Sequence, residues 1–194
     1  MKIGFLGGSF DPVHFGHLLA AQDAYERGGL DRLVFVPTAQ APLKPGPVKA
    51  SAEARLAMLQ AAVEGDGRFE VSDFEVRKGG VSYTVDTVRH LREQFSGAEL
   101  AWVIGADQVA RLPLWREIGE LVKLVEFVVL ARPGWVAGAK PDIPGLRLRW
   151  CEGHHIEISS TEVRERVRTG FPVDWLIPHK TVEYIQKNGL YHST

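Results

Sequence analysis

Two histidines three residues apart, His14 and His17, close the run Gly7-Gly8-Ser9-Phe10-Asp11-Pro12-Val13-His14-Phe15-Gly16-His17. The run follows a short apolar segment, residues 2–6, and leads into a stretch that reads as a helix from about Gly16 to Arg27. Two histidines spaced this way at a helix start share one face. Their N–H groups add to the unpaired backbone N–H groups and the partial positive charge of the helix N-terminus, and Gly16 leaves the backbone open to close approach. That chemistry suits an anion such as a phosphate. A capping role fits the same pair, and a metal site would need a third ligand that the sequence does not supply. The loop is neither G-x-G-x-x-G nor G-x-x-x-x-G-K-[ST], so the common dinucleotide and P-loop signatures are absent.

A second constellation is Ile158-Ser159-Ser160-Thr161-Glu162-Val163-Arg164. Ser159 or Ser160 would cap a helix, which puts Arg164 in its first turn, where a cation opposes the macrodipole. Glu162 would offset that cost, and so would a bound polyphosphate. Hydroxyls, free backbone N–H groups and an arginine are what a phosphate chain requires. A surface helix with a Glu162–Arg166 pair uses the same residues without a ligand. Lys44, in a loop with four prolines between 37 and 47, could reach a phosphate as a mobile point charge. His154-His155 precedes an apolar segment without matching partners and reads as structural.

The elements that must position these residues alternate. Apolar runs at 2–6, 33–36, 100–104 and 127–130 read as buried strands. A strand covering Phe69, Val71, Phe74 and Val76, irregular at Ser72-Asp73, is expected, as are one through Leu146, Leu148 and Trp150 and another starting at Ile156/Ile158. Helices are expected over 52–63 behind a Ser51 cap, 84–94, 117–124, 161–169 and 179–188, the last stopped by Gly189. Strands alternating with helices, several of them continuously apolar, predict an α/β fold with a mainly parallel sheet covered on both faces and a short helical C-terminal segment. Such sheets bind ligands beyond the strand C-termini, and the first strand runs directly into Gly7-Gly8.

Composition narrows the classes. The chain has 194 residues, 45% hydrophobic and 24% charged, as in a globular protein. Lys plus Arg is 23 against 24 Asp plus Glu, a net charge of −1, which gives no broad basic field for nucleic acid. Cys151 is the single cysteine, which excludes an intrachain disulfide. The N-terminus lacks a signal-peptide pattern, and no apolar run approaches the roughly 18–20 residues that span a bilayer. A soluble cytoplasmic protein is expected, without a membrane or nucleic-acid partner; a homo-oligomer is compatible with this reading.

The two constellations together strongly resemble the nucleotidylyltransferase superfamily with an H-x-G-H signature. Within it the chain resembles the bacterial nicotinate-nucleotide adenylyltransferases. Further matches are Gly80-Val81-Ser82-Tyr83-Thr84, Ile104-Gly105-Ala106-Asp107, Leu112-Pro113-Leu114-Trp115, Arg132-Pro133-Gly134 and Tyr184 to Tyr191, so the resemblance runs from about residue 2 to 191. It implies a Rossmann-like, doubly wound fold and one nucleotidyltransferase domain over 1–194. It implies adenylyl transfer from ATP to nicotinate mononucleotide, with Mg²⁺ carried on the phosphates. His14, His17 and Arg164 are the implied catalytic residues. Gly7, Gly8, Ser9, Phe10, Gly16, Gly105, Asp107, Ile158, Ser159, Ser160 and Thr161 are the implied ATP contacts, with Asp107 on the ribose or, alternatively, capping the next helix. Lys44, Ser82, Tyr83, Thr84, Trp115 and Arg132 are implied for nicotinate mononucleotide, with Trp115 stacked on the pyridine. No protein metal ligand is implied. Where the family reads close to Pro-Pro-His-Lys, this chain has Ala41-Pro42-Leu43-Lys44. Phosphopantetheine adenylyltransferase shares the H-x-G-H logic but would not call for Ser82-Tyr83-Thr84 with a downstream Trp115.

Overall fold

A computed structural model describes residues 1–40, 49–131, 138 and 140–192. Its frame is a sheet of six strands: β1 (Lys2–Gly8), β2 (Arg32–Pro37), β3 (Phe69–Val71), β4 (Glu99–Gly105), β5 (Glu126–Ala131) and β6 (Leu148–Glu152). All neighbours pair in parallel, in the order β3-β2-β1-β4-β5-β6. The central strands are apolar almost throughout because both sheet faces are covered. On β2, Leu33 and Phe35 enter one core while Val34 and Val36 enter the other, as the two-residue period of a strand requires.

The first core packs α1 (Phe15–Gly28), α2 (Ala52–Val63), α7 (Ser160–Arg168) and α8 (His179–Lys187) on one face. The second packs α4 (Thr84–Gln94) and α6 (Ile118–Leu124) on the other. Helix ends follow local chemistry. Ser51 caps α2 through Ala54 N–H, Ser159 caps α7 through Glu162 N–H, and Gly29 ends α1 in the left-handed region. Among the described residues, no helix is long and apolar enough to cross a membrane.

Two expected strands differ. Phe74 and Val76 lie not in a strand but in α3 (Phe74–Lys78). Pairing ends just after Val71, where Ser72 N–H donates to the Phe35 carbonyl, and Ser72 Oγ then accepts from Phe74 N–H. Residues 153–159, including Ile156 and Ile158, form no strand. This segment crosses α1 instead, where the buried Asp23 carboxylate accepts from His154 N–H and pairs with its Nδ1, each at 2.7 Å. The short α5 (Ala106–Val109) and a 3-10 turn, Leu112–Leu114, follow β4 without having been read from sequence.

Candidate active site

The sheet order reverses between β1 and β4, and a cavity of about 630 Å³ opens at their C-terminal ends. This is where open α/β sheets bind ligands. Its floor comes from Leu6 to Ser9 and Trp102 to Gly105, and its walls from Thr38, Glu75, the turn Ser82-Tyr83-Thr84, and Leu114 to Arg116. Tyr83 is the N-cap of α4, so the unpaired N–H groups of that helix start at the cavity wall. Trp115 is half-buried and meets Phe127 edge-on at 6.0 Å, which fixes its ring. Arg116 sits 4.6 Å over the Tyr83 ring and, with Arg111, adds positive charge at the rim.

Glu75 is buried in this wall. Its Oε1 accepts from Thr87 Oγ1 at 2.6 Å, while Oε2 has no hydrogen-bond partner among the described residues. Burial raises its pKa above the ordinary carboxylate value. The neighbouring Ser82 Oγ is buried too, and its nearness favours the ionised carboxylate.

The histidines stand next to this cavity, outside its lining. His14 is the N-cap of α1 and His17 lies in its first turn; their rings stack with centroids 3.7 Å apart. His14 N–H donates to His17 Nδ1 at 3.3 Å, so that nitrogen is the acceptor and Nε2 carries the proton of the neutral ring. Phe10, at φ 47°, presents its ring edge to His17 at 5.0 Å. Gly16 works differently from the sequence expectation: a Cβ there would lie 2.9 Å from the His14 ring, so its missing side chain makes room for His14. Gly8 likewise admits the Phe10 ring, 2.9 Å from where its Cβ would be.

Burial depresses the pKa of His14 from 6.5 to about 4. The folded chain therefore keeps this ring neutral through a range in which the unfolded chain takes up a proton. Stability is complete above about pH 6.5 and falls as pH drops toward 4, by up to about 3 kcal/mol from this group. Urea unfolding at pH 7, 6, 5 and 4 is expected to show a shallower acid slope for His14→Gln than for the wild type. Equal slopes would refute the depressed pKa.

The second motif joins the first directly. Ser160 Oγ donates to the Pro12 carbonyl at 2.9 Å, and Arg164 Nη1 donates to the Asp11 carbonyl at 2.7 Å. Arg164 Nη2 also donates to Thr161 Oγ1. Arg164 is the fifth residue of α7, one position beyond the first turn expected, because the helix already begins at Ser160. The cation thereby leaves the positive helix end and folds back over two oxygen acceptors. Ser159 is the cap, and Ile158 packs against the first core.

The structure thus gathers the predicted residues into two adjoining groups. Gly7, Gly8, Ser9, Gly105, Ser82, Tyr83, Thr84 and Trp115 line the cavity. Phe10, His14, Gly16, His17, Ser160, Thr161 and Arg164 form the second group around the β1–α1 loop. Asp107 is exposed in the first turn of α5; Gly105 occupies the N-cap, so Asp107 does not cap that helix. Lys44 and Arg132 lie outside the described residues. Sequence reasoning missed Glu75, Arg111 and Arg116. The adjacency of Arg116 to Trp115 was the one available signal.

Residues 5–166 match the cytidylyltransferase-like family. The chain is 60% identical over 191 residues to the probable nicotinate-nucleotide adenylyltransferase of Opitutus terrae, covering 98% of both chains. It is 39% identical to that of Methylacidiphilum infernorum, covering 98% of this chain and 92% of the relative. In fold it is similar to Plasmodium falciparum nicotinic acid mononucleotide adenylyltransferase complexed with NaAD, with a TM-score of 0.76 at 19% identity over 98% and 97% of the two chains. The family match over residues 5–166 and the 60% identity along nearly the whole of a curated relative show that this chain belongs to the cytidylyltransferase-like nucleotidyltransferases, within the nicotinate-nucleotide adenylyltransferase family.

Proposed function

We propose that the chain acts as one nucleotidyltransferase domain that moves the adenylyl group of ATP onto nicotinate mononucleotide, yielding nicotinate adenine dinucleotide and pyrophosphate in the cytoplasm. The observation that carries this reading is the pair of hydrogen bonds from Ser160 and Arg164 to the backbone of Pro12 and Asp11. They tie the start of α7 to the β1–α1 loop, beside a cavity of nucleotide size.

The reaction needs positioning and charge stabilisation more than covalent help. An oxygen of the acceptor's 5′-phosphate attacks the α-phosphorus of ATP; the bond to the β-bridging oxygen breaks, and pyrophosphate leaves. His17 directs its Nε2–H to the α-phosphate, where charge builds up in the transition state. His14, neutral and buried, orients His17 through its backbone N–H and its stacked ring. Arg164, Ser160, Thr161 and the capped start of α7 hold the departing phosphates. Gly7, Gly8, Ser9, Gly105 and Ile158 shape the nucleotide path, and Asp107 accepts from the adenosine ribose. Lys44 and Arg132 contribute charge to the acceptor's phosphate.

Among the described residues, no group of three or more His, Cys, Asp or Glu side chains could hold a metal ion. The hydroxyls, N–H groups and arginine of the two motifs are phosphate partners rather than metal ligands, so Mg²⁺ would be held through ATP phosphate oxygens and water. When bound there, the ion neutralises phosphate charge.

The acceptor's pyridine stacks on Trp115, and its carboxylate meets Thr84, Ser82 and the N–H groups at the start of α4. Fixed donors and the helix dipole favour an anion there over a neutral amide. Base–aromatic stacking is worth about 1–3 kcal/mol. Trp115→Ala is therefore expected to raise KM for nicotinate mononucleotide about tenfold while changing KM for ATP less than about twofold. Equal rises in both, measured by steady-state pyrophosphate release, would count against stacking.

A further inference from the structure

Arg55 lies in the first turn and a half of α2, with an exposure of 0%. No ion pair with a carboxylate accompanies it among the described residues. The Asp11 carboxylate favours its charge without contacting it, and a buried guanidinium is still costly unless its N–H donors are satisfied. Here they are satisfied by backbone. Nη1 donates to the Ser9 and Thr38 carbonyls, each at 2.7 Å, Nη2 to Ala39 at 3.2 Å, and Nε to Ala50 at 3.3 Å. One rigid fork thus joins the loop after β1, the loop after β2 and the stem leading into α2. A lysine cannot reproduce this set, because its donors radiate from one nitrogen.

The joined residues are those that shape the site. Ser9 and Thr38 line the cavity, and Thr38 N–H donates to the Gly8 carbonyl at 2.8 Å. Asp11 complements the arrangement. Its carboxylate accepts from Lys49 N–H, Ala50 N–H and Tyr191 Oη, while its own carbonyl takes Arg164. A buried cation gathers carbonyls and a buried anion gathers donors on the same two loops.

We propose that Arg55 is a positioning residue for adenylyl transfer, holding the phosphate-binding loop 8–11 in register with the end of β2. This rests on the adenylyltransferase reading above. A misplacement of about 1 Å at a reacting centre costs on the order of a hundredfold in rate, so partial loosening is expected to cost about tenfold. The test uses the full chain with Arg55→Lys and Arg55→Gln. Three readouts are compared with the wild type: steady-state kinetics, thermal unfolding, and amide hydrogen exchange with ATP bound.

The expected result is a kcat at least about tenfold lower in both variants, with KM for either substrate within about threefold. Exchange is expected to quicken at 8–11 and 38–40 and to stay unchanged in β5 and α6. A loss confined to KM, unchanged exchange at the two loops, uniformly faster exchange throughout, or failure of both variants to fold would overturn the proposal. Wild-type turnover with nicotinate mononucleotide is read in the same assay. If the wild type prefers another acceptor, the substrate reading fails, and the kcat comparison made with that acceptor, together with the exchange data, still decides the role of Arg55.

Discussion

His17→Ala is expected to lower turnover about a thousandfold while the fold stays intact. Removing one preorganised donor aimed at developing transition-state charge costs about 10²–10³ in rate, and here the donor also orders its neighbours. His17 stacks on His14 and meets the edge of Phe10, so its ring holds a defined direction. The ring is half-exposed, and the bond it accepts from His14 N–H is long at 3.3 Å. His17→Asn separates the two functions: an Asn oxygen can still accept from His14 N–H, but it offers no donor at the Nε2 position. It is expected to lose nearly as much activity as the alanine variant. Circular dichroism and a thermal melt report the fold, and pyrophosphate release reports the rate. Normal turnover in either variant would remove His17 from the mechanism.

Arg164→Ala is expected to cost about a hundredfold in kcat/KM for ATP. Two of its donors hold Asp11 and Thr161, which leaves the others of a five-donor fork for the departing phosphates. Charge-assisted, bidentate bonds of this kind are the strong ones. Arg164→Lys is expected to recover only part of the loss, since an ammonium restores charge without the planar fork. The effect should fall on ATP, with KM for the pyridine nucleotide little changed. A loss confined to the pyridine nucleotide would place Arg164 elsewhere in the reaction.

The sheet was legible because buried parallel strands are continuously apolar, as 33–36 and 127–130 are, and because Ser51 and Gly28-Gly29 mark helix ends by local chemistry. The stretch Phe74 to Val76 was misread because two apolar residues two apart fit a strand and a short helix equally well; what decides is Glu75, which turns into the cavity wall. Ile156 and Ile158 alternate as a strand would, yet contacts to Asp23, more than 130 residues earlier, pull this segment across α1. The same limit hides Arg55. In sequence it is an ordinary helical arginine that should face water, and carbonyls from residues 9, 38, 39 and 50 satisfy it where it is buried. The motifs around His14, His17 and Arg164 were readable as phosphate chemistry, but their mutual contact through Asp11 and Pro12 is a property of the fold alone.

Adenylyl transfer to the acid form of the pyridine nucleotide is tested by pyrophosphate release from ATP and Mg²⁺ with nicotinate mononucleotide, nicotinamide mononucleotide and phosphopantetheine assayed in parallel. Strong preference for nicotinate mononucleotide is expected, because the start of α4 and the residues around Tyr83 and Thr84 offer fixed donors to a carboxylate. Preference for the amide or for phosphopantetheine, or ATP binding without turnover on any of the three, would contradict it.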